Sequence, residues 1–482
     1  MMANIRKSIN HIIAGSLLLL VANSCNNTQT GNTEKQQEAK NVLFIMVDDL
    51  RPELGCYGND IIHSPNIDRL ASEGIVFNRA YCNIPVSGAS RASLLTGTRP
   101  RRNSLMRYDD TITASRPGIP TLGKHFRENG YVTIHNGKIM HHPNDAKGSW
   151  DEEWWPPSNN DSIWCDYLDP KNVSIVRTGE LGYPFEKTNV NDTAYKDGKL
   201  AEKTIQDLIK LQKSGKPFFL ATGFFKPHLP FNAPEKYWDL YKPEDIKLPD
   251  NNYKPKNAPE EAMHNSGELR QYYNIPKKGP LTDEQAHKLK HGYYACVSYT
   301  DTQVGKVLSA LDSLGLRKNT VIMLIGDHGW NLREHGLWCK HCNFNTSLRT
   351  PLIVSAPGIK KGEKTNAITE FVDIYPSLCK LTGIPVPAHA EGKSFHQVLK
   401  NPDSSIDGIA VARWKKGFTL IQDQYFYTEW FNKQDSIFAK MLYDHQMDPE
   451  ENRDISGLQE NKELVEKLSK QLHQNLGEKF ED

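Results

Sequence analysis

Four strongly apolar runs occur along the chain, and each is followed by polar residues. The runs cover residues 42–47, 131–134, 218–225 and 321–325. Continuous apolar runs of this length are typical of strands that are buried on both faces of a sheet. The four runs therefore predict four central strands, each followed at its carboxyl end by a polar loop.

A helical pattern precedes the last of these runs. Val304, Val307, Leu308 and Leu311 occupy positions i, i+3, i+4 and i+7, which places them on one face of a helix. Strands that alternate with helices indicate an α/β fold with a mostly parallel central sheet.

The first 39 residues follow a different pattern. An apolar stretch, residues 12–22, is too short to span a bilayer, and a small residue followed by Cys25 comes after it. This arrangement predicts an export signal over residues 1–24, and it resembles a bacterial lipoprotein cleavage site, with simple cleavage as the alternative. Residues 25–39 are polar and predict a tether. We therefore expect a periplasmic protein whose membrane attachment, if any, is a lipid on Cys25.

Composition narrows the class of partner. The chain has 482 residues, of which 38% are hydrophobic and 24% charged, and its formal net charge is +1. Such a chain is long enough for one large domain with a smaller companion. A net charge close to zero gives no reason to expect nucleic acid as a partner.

The number and spacing of the cysteines limit the possible disulfide bonds and metal sites. With a lipid on Cys25, seven of the eight cysteines remain, so at least one is unpaired within the monomer. Cys339 and Cys342 form a C-x-x-C pair, but a second pair that would complete a tetrahedral zinc site does not occur in the sequence. We expect incidental cysteines or a local disulfide here.

The polar residues at the ends of the predicted strands suggest a shared site. They are Asp48, Asp49, Lys138, His228, Asp327 and His328. Ligands of open α/β sheets bind beyond the carboxyl ends of the strands, so these side chains are expected to converge. Three carboxylates brought together would repel one another without a cation. Oxygen ligands favour calcium or magnesium over zinc.

The segment SGASRASLLT, residues 87–96, predicts a short helix that ends at Gly97. Ser87 would lie at its N-terminus, where free N–H groups and the helix dipole stabilise anions, and Arg91 adds a positive charge one turn later. The alternative is that Ser87 or Ser90 is only an N-cap. Beside a bound cation, Lys138, His141, His228 and Lys340, the segment predicts a site for a tetrahedral anion.

Six motifs, in order along the chain, resemble those of the type I, formylglycine-dependent sulfatases of the alkaline phosphatase superfamily. Within that family the resemblance is to enzymes that remove the 2-O-sulfate of iduronate. The motifs are NVLFIMVDDLRPELGCYG, SPNIDRLASEGIVFNRAY, SGASRASLLTGTRP, ENGYVTIHNGKIMHH, GFFKPHLPF and IGDHGWNLREHGLWCKHCNF.

The resemblance implies an α/β, alkaline-phosphatase-like sulfatase fold with a small C-terminal α+β subdomain built on an antiparallel sheet. LYDHQMDPEENRD, residues 442–454, resembles the ending typical of that subdomain. We expect a catalytic domain over residues 40–397 and a C-terminal subdomain over residues 405–482.

Ser87 is explained by the resemblance. A serine hydroxyl without an adjacent base is a weak nucleophile. Sulfatases convert a Cys or Ser at this position into Cα-formylglycine, whose hydrate attacks sulfur with one hydroxyl and expels sulfate with the other. Many members have Cys at the position of Ser87 and Pro at that of Ala89; serine occurs in some bacterial members that depend on a radical-SAM maturing enzyme. A native serine and a Cys→Ser substitution look the same in sequence.

Further roles carry over position by position. The resemblance implies one calcium ion held by Asp48, Asp49, Asp327, His328 and the modified Ser87. It also implies that Arg91 steadies formylglycine, that Lys138 and Lys340 hold the sulfate, that His141 is the base and that His228 protonates the leaving oxygen. His142, Glu334 and His335 are left open between packing, ion pairing and substrate contact.

We therefore expect an exo-acting 2-O-sulfatase for uronic acids, iduronate or 4,5-unsaturated uronate, in heparin, heparan, chondroitin or dermatan oligosaccharides. Cationic candidates for the uronate carboxylate are Arg99, Arg101, Arg102, His142 and His341. Three alternatives remain open: a sulfatase for another sugar position, a phosphatase or phosphonate hydrolase of the same superfamily, and a non-catalytic glycan-binding lipoprotein with unmodified Ser87.

Overall fold

A computed structural model describes residues 40–101, 104–159, 165–406 and 408–476. The predicted export signal, the tether and Cys25 lie outside these residues and stay predictions. Within the described ranges, every helix is too short or too polar to cross a bilayer.

Seventeen strands are defined within these ranges. They are β1 (Asn41–Val47), β2 (Ile75–Tyr81), β3 (Val132–Gly137), β4 (Glu152–Trp154), β5 (Phe185–Thr188), β6 (Phe218–Phe224), β7 (Phe231–Pro234), β8 (Thr320–Gly326), β9 (Asn331–Leu332), β10 (Trp338–Cys339), β11 (Arg349–Ser355), β12 (Glu363–Thr365), β13 (Thr369–Glu370), β14 (Ile409–Trp414), β15 (Gly417–Gln422), β16 (Tyr425–Phe431) and β17 (Ile437–Asp444).

The helices surround these strands. They are α1 (Pro65–Ser72), α2 (Ser87–Thr96), α3 (Ile112–Ser115), α4 (Leu122–Glu128), α5 (Pro170–Val176), α6 (Lys196–Ser214), α7 (Glu235–Trp238), α8 (Asp283–Ser313), α9 (Asn345–Leu348), α10 (Ile374–Thr382), α11 (His396–Lys400) and α12 (Lys462–Leu476).

A nine-stranded sheet lies at the centre of the described chain, in the order β12-β2-β11-β8-β1-β6-β3-β4, with β13 beside β2. Strands β8, β1, β6, β3 and β4 are parallel, whereas β11 runs antiparallel to both β8 and β2. The predicted α/β fold with a mostly parallel sheet is confirmed, and the four apolar runs correspond to β1, β3, β6 and β8.

The two faces of β1 show why its sequence is apolar without interruption. Val42, Phe44 and Met46 belong to the core on one side of the sheet. Leu43 and Ile45 belong to the core on the other side. Because successive strand side chains point to opposite faces, a strand covered on both faces is predominantly apolar along its whole length, as β1 is.

A second sheet of four antiparallel strands, β14-β15-β16-β17, follows the central sheet in the chain. Helix α12 covers one face of it, where Leu468 and Leu472 pack with Leu420, Tyr427 and Leu442. The predicted antiparallel C-terminal subdomain is thus confirmed as part of the fold. Its other face joins the core of the central sheet. The boundaries at 40–397 and 405–482 stay predictions.

Candidate active site

The carboxyl ends of β1 and β8 form the floor of the site. The strands are parallel neighbours, so Asp48 and Asp49 after β1 meet Asp327 and His328 after β8. The amide of Asp327 donates to the carbonyl of Val47 at 3.1 Å, which continues the ladder into the loops. The backbone register therefore brings these four side chains together.

These four residues form a buried cluster in which one ligand atom of each lies within 4.8 Å of the others. Burial, reinforced by the neighbouring carboxylates, raises the pKa of Asp49 well above its usual range. Burial and then Asp48 raise the pKa of Asp327 to about 6. A cation bound here would relieve this repulsion, and carboxylate oxygens are the donors that hard divalent ions prefer. The residues present therefore fit a metal ion.

His328 is oriented as a ligand. Its Nδ1 lies 2.9 Å from the carbonyl of Gly329, which can only accept a hydrogen bond. Nδ1 therefore carries the proton, and the lone pair of Nε2 faces Asp49 at 3.5 Å and Asp327 at 3.6 Å. Burial and the nearby Lys340 lower the pKa of His328 well below its usual value, which favours the neutral imidazole that binds metals.

Ser87 is the first residue of α2 and faces the same cluster. Its Oγ lies 3.2 Å from Oδ1 of Asp48 and 3.0 Å from Nε2 of His328. The N-cap alternative is wrong, because Val86 occupies the cap position. Ser90 donates instead to the carbonyl of Asp327 at 2.6 Å, which ties the first turn of α2 to the end of β8.

Arg91, one turn after Ser87, offsets part of the buried charge. Its guanidinium lies 3.2 Å from Asp48 and 3.0 Å from Asp327, and all three side chains are fully buried. Its Nη1 also contacts the carbonyl of Lys138. A bidentate-capable guanidinium that joins two elements in this way fixes the geometry of both carboxylates.

Two lysines add charge from opposite sides. The ammonium of Lys138, after β3, contacts the carboxylate of Asp48, and burial lowers the pKa of Lys138 despite that contact. The ammonium of Lys340 lies 3.1 Å from Asp49 and 2.9 Å from Glu268. Burial alone would lower the pKa of Lys340, but these two carboxylates raise it above its usual value.

His228 and His141 lie beside the lysines. The Nε2 of His228 is 3.3 Å from Glu268 and 3.9 Å from Asp49, and its side chain is 18% exposed. Burial and the two lysines lower the pKa of His228. His141 is half-buried, and burial together with Lys138 lowers its pKa, which keeps it neutral as a base requires.

Glu268 belongs to the site but was not predicted from the sequence. Lys340 and His228 hold its pKa well below its usual range, although burial opposes this. The residue lies in a polar connection between α7 and α8, in which neither an apolar run nor a motif marks its position. Only the folded chain shows that this carboxylate reaches the site.

Several other candidates are engaged elsewhere. Arg99 contacts Glu370, and Arg101 contacts Glu391, so the carboxylates of this chain neutralise both. Arg102 lies outside the described residues. His341 has a pKa lowered to about 3 by burial, so it is a neutral ring at physiological pH and a poor partner for a carboxylate.

The sequence left three residues open between packing, ion pairing and substrate contact, and the structure shows the following contacts for them. Glu334 forms an ion pair with Arg51 at 2.8 Å. His335 is buried with its ring 4.5 Å from that of Phe344. His142 is half-buried, and its ring lies 4.6 Å from that of His141, at the edge of the site.

The described cysteines are seven free thiols. Cys339 and Cys342 are both buried, and the sulfur of Cys342 lies 3.0 Å from Oγ of Ser347. The expectation of a local disulfide is therefore wrong for this pair, and incidental cysteines remain.

Comparison with known proteins identifies the family to which the chain is similar. The sulfatase family model matches residues 40–384, and a model for the C-terminal region of N-sulphoglucosamine sulphohydrolase matches residues 333–478. The iduronate 2-sulfatase of Mus musculus is 35% identical over 402 residues, which cover 75% of this chain and 72% of that protein.

Solved structures show the same fold. A protein in complex with its substrate D-glucosamine-2-N,6-O-disulfate superposes with a TM-score of 0.73 at 21% identity, covering 92% of this chain and 100% of that one. A 2-O GAG sulfatase superposes with a TM-score of 0.69 at 24% identity, covering 91% and 92%. From the family match and the 35% identity, the chain belongs to the sulfatase family and is a sulfuric ester hydrolase.

Proposed function

We propose that the chain is an exo-acting sulfatase that hydrolyses the 2-O-sulfate ester of a uronic acid, iduronate or 4,5-unsaturated uronate, in glycosaminoglycan oligosaccharides. The similarity to an iduronate 2-sulfatase at 35% identity supports the choice of sugar and position. The observation that carries the chemistry is that Ser87 contacts Asp48 and His328, two members of the buried cluster that also contains Asp49 and Asp327.

The proposed ion is calcium, held by Asp48, Asp49, Asp327, His328 and the modified Ser87. A bound calcium ion would supply positive charge next to the sulfate oxygens. Lys138 and Lys340 are proposed to hold the sulfate and to offset the charge that develops in the transition state, which buried cations do more effectively than exposed ones.

Ser87 is proposed to be converted into Cα-formylglycine by a radical-SAM maturing enzyme. Its hydrate would attack sulfur with one hydroxyl, and Arg91 would hold the side chain in place. His228 would then give a proton to the departing sugar oxygen, because an alkoxide leaves poorly without one. His141, neutral because partial burial and Lys138 lower its pKa, would take the proton of the second hydroxyl as sulfate is expelled and the aldehyde returns.

The first prediction concerns the modification. In protein co-expressed with a maturing enzyme, the peptide that contains Ser87 should be about two mass units lighter than the unmodified peptide. Ser87→Ala should lower sulfate release at least about a thousandfold, because the nucleophile is lost. The control is Ser93→Ala. Ser93 lies on the same helix, but its hydroxyl donates to the carbonyl of Thr98, so this variant should keep both the mass difference and the rate of sulfate release. An active enzyme with an unmodified Ser87 peptide would contradict the mechanism.

The second prediction concerns the metal. Asp49 has a φ of 57°, a backbone conformation that asparagine also adopts, so Asp49→Asn should fold. The lost ligand charge should weaken calcium binding at least about tenfold in calorimetry and lower turnover in parallel. The exposed Asp239→Asn is the matched control. Full activity after exhaustive dialysis against excess chelator would refute the ion's role.

The third prediction concerns the substrate. The matured enzyme should release sulfate from a 2-O-sulfated unsaturated uronate disaccharide and not from 6-O-sulfated glucosamine. A charge-assisted contact to the uronate carboxylate contributes about 1.5–3 kcal/mol. The methyl ester of the same disaccharide is uncharged and loses this contact, so it should react at least roughly tenfold more slowly. If sulfate is released from glucosamine alone, the uronate assignment is wrong and the sulfatase assignment stands.

Localisation is proposed from the N-terminal sequence. Cys25 follows a signal-like segment and precedes a polar tether, so we propose a periplasmic protein attached to a membrane by lipid. The fourth prediction is that labelling of the membrane fraction with a fatty-acid probe disappears in Cys25→Ala and persists in Cys56→Ala. A Cys25→Ala protein that stays labelled would exclude the lipid at this residue.

A further inference from the structure

A basic groove of about 370 Å³ lies between the loop that carries Met106 and the turn that joins β14 to β15. Its wall includes Arg413, Lys415, Lys416, Phe418 and Lys433. The four cations come from the C-terminal antiparallel sheet, and none of them belongs to the site described above.

One wall of the groove is attached to the segment that carries Lys340. The ring of His341 stacks on the ring of Trp414, the residue directly before Lys415, at 4.9 Å and 26°. Asn343 donates to the carbonyl of Gly417 at 3.3 Å and to Thr419 at 2.9 Å. The turn that presents Lys415 is therefore held against the segment whose lysine is proposed to bind sulfate.

The opposite wall approaches Ser87. Two residues after Met106, the carbonyl of Tyr108 lies so close to Gly88 that a Cβ there would collide with it. The ring of Tyr108 is 6.2 Å from that of His141, and Tyr108 is 59% exposed. The chain segments that line the groove thus contact the start of α2 and the Lys340 segment, which are two parts of the active site.

Three of the four cations in the groove are lysines that face solvent. Lys415, Lys416 and Lys433 are exposed. Among the ion pairs between described residues, none involves these three lysines, in contrast to Arg99 and Arg101, which contact Glu370 and Glu391. Exposed cations that share one groove favour an anionic ligand.

The backbone at Lys415 adds an independent observation. Trp414 pairs with Gly417, so Lys415 and Lys416 are the two residues of a tight hairpin turn. Lys415 has a φ of 50°, a conformation for which such turns prefer glycine or asparagine. A lysine there is unfavourable for the turn, which points to a role for its ammonium outside folding.

We propose that the basic groove binds the sugar that follows the sulfated uronate and recognises a sulfate group on it. This inference rests on the proposed function and deepens it. The preferred substrate is then an oligosaccharide of at least two sugars, whose second sugar is itself negatively charged, rather than a sulfated monosaccharide.

The fifth prediction compares two 2-O-sulfated unsaturated disaccharides, one with N- and 6-O-sulfated glucosamine and one with unsulfated N-acetylglucosamine. The wild-type kcat/KM should be roughly tenfold higher for the first, and in Lys415→Gly/Lys416→Ala this ratio should fall to about one. The kcat/KM for the unsulfated partner should stay within about twofold of wild type, because the removed charges do not touch it. Lys467→Ala, an exposed lysine on α12, is the control.

The choice of variant distinguishes an effect on substrate binding from an effect on folding. Glycine adopts the φ of residue 415 freely, so the thermal midpoint of the double variant should not fall below that of wild type. An unchanged ratio in a folded double variant would overturn the inference and leave the proposed function intact.

Failure of the proposed function would have a different signature. If neither disaccharide loses its 2-O-sulfate, the proposed function is wrong. In that case, binding of the disaccharide to the Ser87→Ala protein, measured by calorimetry, tests whether the groove binds the second sugar. A Kd for the trisulfated disaccharide that rises roughly tenfold when the two lysines are replaced supports the groove; an equal Kd refutes it.

Discussion

Mutual repulsion among three buried carboxylates is the constraint around which this molecule is arranged. Asp48, Asp49 and Asp327 share a small volume from which water is excluded. Their charge is tolerable only where cations are close, because an unpaired buried charge is strongly destabilising. Arg91 and Lys138 supply part of that compensation from two separate elements. A bound divalent ion would supply the rest, and the same positive field would then act on a sulfate.

The parallel sheet makes such a cluster feasible. Parallel neighbours end at the same edge, so two acidic loops meet without any long excursion of the chain. Helix α2 starts at that edge and presents Ser87 to the carboxylates, while the hydroxyl of Ser90 ties it to the end of β8. The apolar residues of the strands keep the sheet rigid on both faces, which holds charged groups in place without relying on loops.

The C-terminal sheet has two roles that follow from its two faces. One face, with Leu472, is covered by α12, and the other is packed into the core of the catalytic part. This packing brings the β14–β15 turn beside Lys340 and its neighbour His341. The subdomain therefore places the groove that is proposed to bind the second sugar next to the segment that carries Lys340.

The sequence by itself determined the central strands and the residues at their ends, because burial on both faces requires strongly apolar runs and polar or charged residues follow them. It also placed Ser87 and Arg91 one turn apart on a helix. Only the tertiary structure decided that Glu268 joins Lys340, that Arg99 is neutralised by Glu370, and that Trp414, next to Lys415, stacks on His341. These contacts join residues far apart in the chain, and local patterning carries no information about which distant side chain will neutralise a given charge.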